Sequence, residues 1–238
     1  MNEIISRYYE GRDLEAMSCA ENYHRWIFEG FRPHMGRRIL EVGAGCGNFT
    51  SRLLETDPEW LVAVEPSSNL CRLLVERYGN LSHVRVVGGY LPDGLRQCPA
   101  PPDTMVYVNV LEHVEDDRGE LATAFASLTP GGCLCILVPA LPFLYGNFDQ
   151  AVGHLRRYRK KDLERKVSEA GFEVLESRYF DLAGVLPWWF AYRVLRRTAL
   201  NPAQVAIYDR FCVPVTRVIE RMCPPPVGKN VFLVARRH

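Results

Sequence analysis

Apolar positions along this chain change their period several times, and each change marks a predicted element. Leu14, Met17, Tyr23, Trp26, Ile27 and Phe31 recur at mostly helical spacings, so the first forty residues read as helical. Gly36 breaks that pattern. Short apolar runs then predict strands at 38–42, 61–64, 83–87, 104–108 and 133–138. Helical stretches near 49–54, 69–78 and 117–128 separate several of them, and Thr129-Pro130-Gly131-Gly132 turns the chain into the fifth strand. Strands alternating with helices predict a parallel sheet with helices on both faces. After a helix at 161–170, residues 172–179 read as a sixth strand and 230–235 as a seventh. Between these two lie helical patterns at about 182–197 and 202–222 and the run Pro224-Pro225-Pro226. The tail is therefore expected to be an antiparallel strand pair split by a helical insert.

Composition adds limits rather than identity. The chain has 238 residues, 47% hydrophobic and 24% charged, which suits one domain with a real core and room for an insertion. A formal net charge of +1 argues against a specialist for nucleic acid or for acidic partners. The chain shows no internal repeat. None of the eight cysteines forms a C-x-x-C pair or has histidine at zinc-finger spacing. With no basic segment and apolar run at the N-terminus, they read as small core residues in a reducing cytoplasm. The expected organisation is a single domain over 1–238. It comprises a helical cap at 1–36, a ligand-binding core at 37–140, an acceptor lid at 141–160 and the helical insert at 181–228.

The candidate chemistry starts at Glu41-Val42-Gly43-Ala44-Gly45-Cys46-Gly47-Asn48, placed between a strand and a helix. Glycines let backbone turn tightly and approach a ligand, and a helix N-terminus offers free N–H groups. The dinucleotide fingerprint needs glycine where Asn48 stands, which disfavours a nicotinamide dehydrogenase. Glu65 ends the second strand, about 20 residues past the loop, where a carboxylate can accept hydrogen bonds from both hydroxyls of a ribose. Its alternative role is to cap the helix after Pro66. Asn109-Val110-Leu111-Glu112-His113-Val114-Glu115-Asp116-Asp117 follows the fourth strand, at the sheet end where open α/β folds bind ligands.

Together these segments, with the turn 128–132, resemble class I S-adenosylmethionine-dependent methyltransferases over about residues 37–140. The resemblance is to the small-molecule type, including enzymes of ubiquinone and menaquinone synthesis. It implies a Rossmann-like α/β fold: a seven-stranded, mostly parallel sheet with helices on both faces, N-terminal helices and an insert between the last two strands. It also implies S-adenosyl-L-methionine as cofactor and S-adenosyl-L-homocysteine as product. Glu41, Gly43, Ala44, Gly45, Gly47 and Asn48 would cradle the methionine half, Glu65 and Pro66 the ribose, and Asn109 and Val110 the adjoining wall. The family often holds the adenine amino group with an acid after strand three. Here glycine stands in its place, leaving Gly89 and Tyr90, or Asp93, for that contact.

On the acceptor side, His113 follows the cofactor wall and His154 lies in the segment after strand five, and either histidine can take a proton near neutrality. His113 has a purely structural alternative, bonding the loop. Tyr145, Asp149, Arg156, Arg157 and Tyr158 are the candidate acceptor contacts. The basic run from Arg156 to Lys166 reads either as a solvated helix face or as a site for a carboxylate or phosphate. No metal is expected, and Asp116 and Asp117 read as acids at a helix N-terminus. The 182–197 helix is too short in apolar residues to span a bilayer. Packing, an acceptor pocket, a dimer face and peripheral membrane contact all remain open for it. The expected activity is transfer of a methyl group to oxygen or nitrogen of a small molecule, a specialised metabolite or a lipid or envelope precursor. No nucleic-acid partner is expected, and monomer and homodimer are both open. Another reaction on the same cofactor, or a non-catalytic binding module, are the alternatives.

Overall fold

A computed structural model describes residues 8–9 and 13–238; the rest of the expected N-terminal cap lies outside the described residues. Two helices, α1 (Asp13–Met17) and α2 (Glu21–Phe31), precede β1 (Arg38–Val42). Then come α3 (Thr50–Leu53), β2 (Trp60–Glu65), α4 (Ser68–Tyr78), β3 (Val84–Gly88), α5 (Leu91–Gln97) and β4 (Thr104–Val108). A 3-10 turn at Leu111–His113 leads to α6 (Asp117–Ser127), β5 (Cys133–Pro139), α7 (Asn147–Ala151), α8 (Lys160–Glu169) and β6 (Glu173–Phe180). The insert holds α9 (Val185–Trp188), α10 (Pro202–Ile207) and α11 (Val213–Met222), before β7 (Asn230–Arg236).

The sheet has seven strands in the order β3-β2-β1-β4-β5-β7-β6, matching the expected α/β architecture. The first five pair in parallel, and β7 runs antiparallel to both β5 and β6. Every residue of β2 and β5 is buried, because helices cover both faces. Leu40, Val62, Tyr107, Ile136 and Leu233 fill one core, and Ile39, Leu61, Val106, Leu137 and Phe232 the other. Adjacent residues of one strand thus serve opposite cores. Strand order reverses between β1 and β4, so the crevice at their C-terminal ends is where this topology places a ligand.

Two local features differ from expectation. The stretch after β3 contains a helix, α5, despite Pro92 and Gly94. Pro92 sits in the first turn, where a missing N–H costs little, and a Cβ on Gly94 would lie 2.3 Å from Val64 Cγ2. Glycine there lets the helix lie on β2. The insert helices are also not regular. A π-helical segment, Trp189–Val194, continues α9, and another, Tyr208–Cys212, joins α10 to α11 into one helical run. The second precedes Pro214, which has no N–H to donate to the turn before it.

Candidate functional site

The glycine loop follows β1 in a strained left-handed path. Gly43, Gly45 and Gly47 have φ of 71°, 58° and 85°, values that cost side-chain-bearing residues energy. A Cβ on Gly43 would lie 2.5 Å from Val110 Cγ2, so the loop packs against the residue that follows β4 and Asn109. The Gly43 and Ala44 N–H groups both donate to Val64 O at 2.9 Å, which fastens the loop to β2. Glu41 is buried and accepts from Thr50 Oγ1 at 2.6 Å; burial pushes its carboxyl up to about 8.

Glu65 ends β2 beside the loop, only 5% exposed. One carboxylate oxygen accepts from Gly45 N–H and the other from Ser67 N–H, both at 2.8 Å. Burial raises this carboxyl, and the bonds from Ser67 and Gly45 oppose the rise. Each oxygen keeps lone-pair capacity for a further donor, so capping the turn and holding a ribose are compatible roles. Pro66 lies between these contacts. The stretch expected at the adenine offers fewer free polar groups. Gly89 has φ 146°, Tyr90 is exposed, and Asp93 turns back to accept from Tyr90 N–H at 2.9 Å.

An unexpected neighbour lies on this loop. Asn48 donates its amide to Leu14 O at 3.3 Å, and Cys46 Sγ approaches the same oxygen at 3.8 Å. Tyr9 exchanges backbone hydrogen bonds with the Asn69 side chain at 3.0 and 3.1 Å. Tyr9 and Leu14 are therefore tied to α4 and to the glycine loop. The Asn48 amide serves this contact, whereas the sequence assigned it to the cofactor.

The second half of the site sits beyond β4 and β5. Asn109, with φ 55°, faces Asn230, whose amide donates to its Oδ1 at 3.3 Å. Residues 141–158 form a tied wall rather than a loose cover. Leu155 N–H donates to Glu112 O at 2.8 Å, and Tyr158 OH reaches Leu111 O and Asp117 at 3.0 and 2.8 Å. Tyr145 OH donates to His154 O at 2.7 Å.

Within that wall, Asp149 is wholly buried and gathers three partners. His154 Nδ1 lies 2.8 Å away, Arg157 Nε donates at 2.8 Å and Gly146 N–H at 3.0 Å. Burial alone would raise Asp149, but His154 and Arg157 hold it below the usual carboxylate range. His154 Nε2 faces Glu112 at 3.8 Å, and its ring stands edge-on to His113, centroids 4.7 Å apart. His113 Nδ1 lies 3.2 Å from Gly153 O; the protein packed around the ring and the nearby His154 lower it to about 4. Glu112 has no exposed surface, and neither carboxyl oxygen has a hydrogen-bond partner; burial raises it to about 7. Glu112, His113 and His154 offer three ligand atoms within 4.8 Å of one another, so a divalent cation could be held here. No metal is expected from the sequence, where Glu112 beside His113 in the fourth-strand motif carries no ligand spacing that stands out.

The two arginines expected at an acceptor anion are engaged elsewhere. Arg157, its side chain 1% exposed, also donates to Ala140 O at 3.2 Å and stacks over Trp188 at 5.0 Å. Arg156 pairs with Asp117 at 3.0 Å and donates to Glu115 O at 3.0 Å. Asp117 also takes Lys166, so it is a buried hub, while Asp116 caps α6 by accepting from Gly119 N–H at 2.9 Å. Arg156, Arg157 and Lys166 are thus paired with buried carboxylates, while Lys160 and Arg165 pair with acids on the outside of α8.

Beside the wall lies a cavity of roughly 360 Å³ between the insert and α2. Trp188, Tyr192, Tyr23, Val205, Val213 and Lys229 are among its lining. Phe148 packs 5.0 Å from both Trp188 and Tyr192 and 6.3 Å from the His154 ring, so one aromatic layer connects the cavity to the histidine. Trp188 and Tyr192 stand four apart in the insert, a spacing legible in sequence, but their meeting with Phe148 is tertiary.

Comparison with known proteins bears on the family and the fold. The family described as a methyltransferase domain matches residues 12–177. A tRNA U34 carboxymethyltransferase of Syntrophotalea carbinolica is 31% identical over 156 residues, covering 59% of this chain and 46% of that protein. The chain spans about half the length of the curated relatives it matches. Among solved structures, a SAM-dependent methyltransferase from Archaeoglobus fulgidus superposes with a TM-score of 0.60 at 16% identity, covering 90% of this chain and 94% of that one. The [4+2]-cyclase SpnF superposes at 0.58 with 15% identity, covering 91% and 81%.

Proposed function

The chain belongs to the class I S-adenosylmethionine-dependent methyltransferases, and from that premise we propose that it methylates oxygen or nitrogen of a small, partly apolar acceptor. The residues present fit the cofactor: a glycine cradle that a Cβ would fill, and a buried carboxylate at the end of β2 with lone pairs to spare. Gly43, Ala44, Gly45 and Gly47 would hold its methionine half, Glu65 its ribose, and Asn109 and Val110 its flank. When bound, S-adenosylmethionine supplies an electrophilic methyl on a sulfonium that is already a good leaving group.

The observation that carries the reading is the Asp149–His154 pair, joined through Phe148 to the aromatic cavity. Asp149 fixes the imidazole so that Nδ1 donates and Nε2 accepts, the arrangement a general base requires. The apolar part of the acceptor rests in the cavity against Trp188 and Tyr192, its nucleophilic end reaches past Phe148, and His154 takes its proton. The wall at 141–158 excludes water from the reacting atoms.

Incubating the protein with methyl-labelled S-adenosylmethionine and separated cell fractions tests this. Label in the low-molecular-weight or lipid fraction, lost with His154→Gln, supports it; label confined to tRNA overturns it. That second result would align the chain with its tRNA-modifying relative.

The unpartnered Glu112 carboxylate favours a second reading, in which Glu112, His113 and His154 hold a divalent cation that binds the acceptor oxygen. Metal analysis of the purified protein, with turnover before and after EDTA, separates the two. Stoichiometric metal and chelator-sensitive turnover select the cation.

A further inference from the structure

The helical run formed by α10, its π-helical continuation and α11 packs on the core through Val205, Tyr208 and Val213 but leaves most of its apolar side chains outside. The side chains it turns inward include Asp209, Thr216 and Glu220, all buried. Those it turns outward include Ile207, Phe211, Val215, Val218, Ile219 and Met222, each between 54% and 83% exposed. Spacings of three and four place these six along one face. Helices of soluble domains bury that stripe, and a contiguous apolar face left outside marks an interaction site.

The inward polar groups explain why the helix keeps this orientation. Asp209 accepts from Asn22 and Tyr23 N–H at 3.0 and 2.8 Å, satisfying the N-terminus of α2. Glu220 accepts from Leu182 N–H at 2.7 Å and from Asp181 N–H at 3.3 Å. Turning the helix over would bury the apolar stripe but leave these groups unpaired.

Charge says what covers the face. Between residues 181 and 228 the acids are Asp181, Asp209 and Glu220, all buried. The bases are Arg193, Arg196, Arg197, Arg210, Arg217 and Arg221, and among them Arg217 pairs with Glu29. The insert therefore presents apolar side chains among positive charges, with no exposed acid, on a chain whose net charge is only +1. A second copy docked two-fold on this face would bring arginine against arginine with no exposed carboxylate of the insert to pair. No helix among the described residues is long and apolar enough to cross a membrane. An apolar stripe beside arginines, on a helix too short to span, matches a helix lying in the headgroup plane of an anionic bilayer.

We propose that this insert docks the protein on the surface of an anionic phospholipid bilayer, with the Ile207–Met222 face immersed and the arginines at the phosphates. The docking needs neither cofactor nor acceptor, so it stands or falls apart from the methyl-transfer reading. Co-sedimentation of the full chain with vesicles tests it, using phosphatidylcholine alone and an equal mixture with phosphatidylglycerol. Binding to the mixture, weakened by salt and absent from pure phosphatidylcholine, is expected. Replacing Arg210 and Arg221 by glutamine weakens that binding by about 30-fold, at about 1 kcal/mol per arginine. The pair Phe211→Glu and Val215→Glu abolishes it without changing the melting temperature, since both positions are exposed. Equal binding to the two vesicle types, or binding to neither, overturns the proposal. So does a stable dimer by sedimentation velocity that the Phe211→Glu and Val215→Glu pair dissociates.

Discussion

Asp149 Oδ1 lies 2.8 Å from both His154 Nδ1 and Arg157 Nε, so one buried carboxylate oxygen orients the imidazole and neutralises a guanidinium. These two tasks separate on substitution. His154→Gln leaves the Asp149–Arg157 pair intact and is expected to lower turnover by roughly 10²–10⁴-fold with cofactor affinity unchanged. Asp149→Asn lowers turnover too, and by stranding Arg157 it also destabilises the fold by about 3–5 kcal/mol. Labelled-methyl turnover and urea unfolding, measured on both variants, check the split. Wild-type turnover in His154→Gln would remove the base from the mechanism.

Glu65 is expected to be the main anchor of the ribose. Removing a charged hydrogen-bond acceptor costs about 1.5–3 kcal/mol, so Glu65→Ala should weaken S-adenosylmethionine and S-adenosylhomocysteine binding by roughly 10–100-fold in calorimetry. Equal affinity in wild type and variant would place the ribose elsewhere.

The contacts of Leu14 with Asn48 and of Tyr9 with Asn69 tie these two residues to the glycine loop and to α4. Asn48→Ala removes one such tie, about 0.5–1.5 kcal/mol, and should speed cofactor release several-fold in stopped-flow measurements. An unchanged off-rate would show that the Leu14–Asn48 contact does not restrain the cofactor.

Stability without cofactor should fall as pH rises from about 6.5 to 8. The unfolded chain loses the Glu41 proton near the ordinary carboxylate value, 4.5, whereas the folded protein keeps it to about 8. Across that window the native state binds more protons, so stability declines with rising pH. His24, lowered by burial to about 4, acts oppositely, adding stability as pH rises from 4 to 6.5. Melting curves of wild type and Glu41→Gln across pH 5 to 8 check this. The decline should be shallower in the variant, and parallel curves would contradict the assignment.

The fold and the cofactor loop were legible because their signals are local. Continuous apolar runs marked the strands, and Gly43, Gly45 and Gly47 stand where backbone must go left-handed. Helix α5 escaped because Pro92 and Gly94 weaken helical propensity, and only contact with Val64 explains the glycine. Arg156 and Arg157 looked available for an anion since sequence does not show that Asp117 and Asp149 already face them. The outward stripe of α11 was likewise hidden: its helical period was visible, but which face turned inward depended on Asp209 and Glu220 meeting backbone N–H groups far away in sequence.

Strand β7 lies between β5 and β6, with both of its edges paired. During synthesis β5 and β6 emerge first, and the insert follows before the residues that join them exist. At about 5–20 residues per second, the interval between the end of β6 and the end of β7 lasts several seconds. Throughout it β5 has an open edge and β6 has no strand to hold it. An unpaired strand edge of this kind leaves the nascent chain open to mispairing for those seconds.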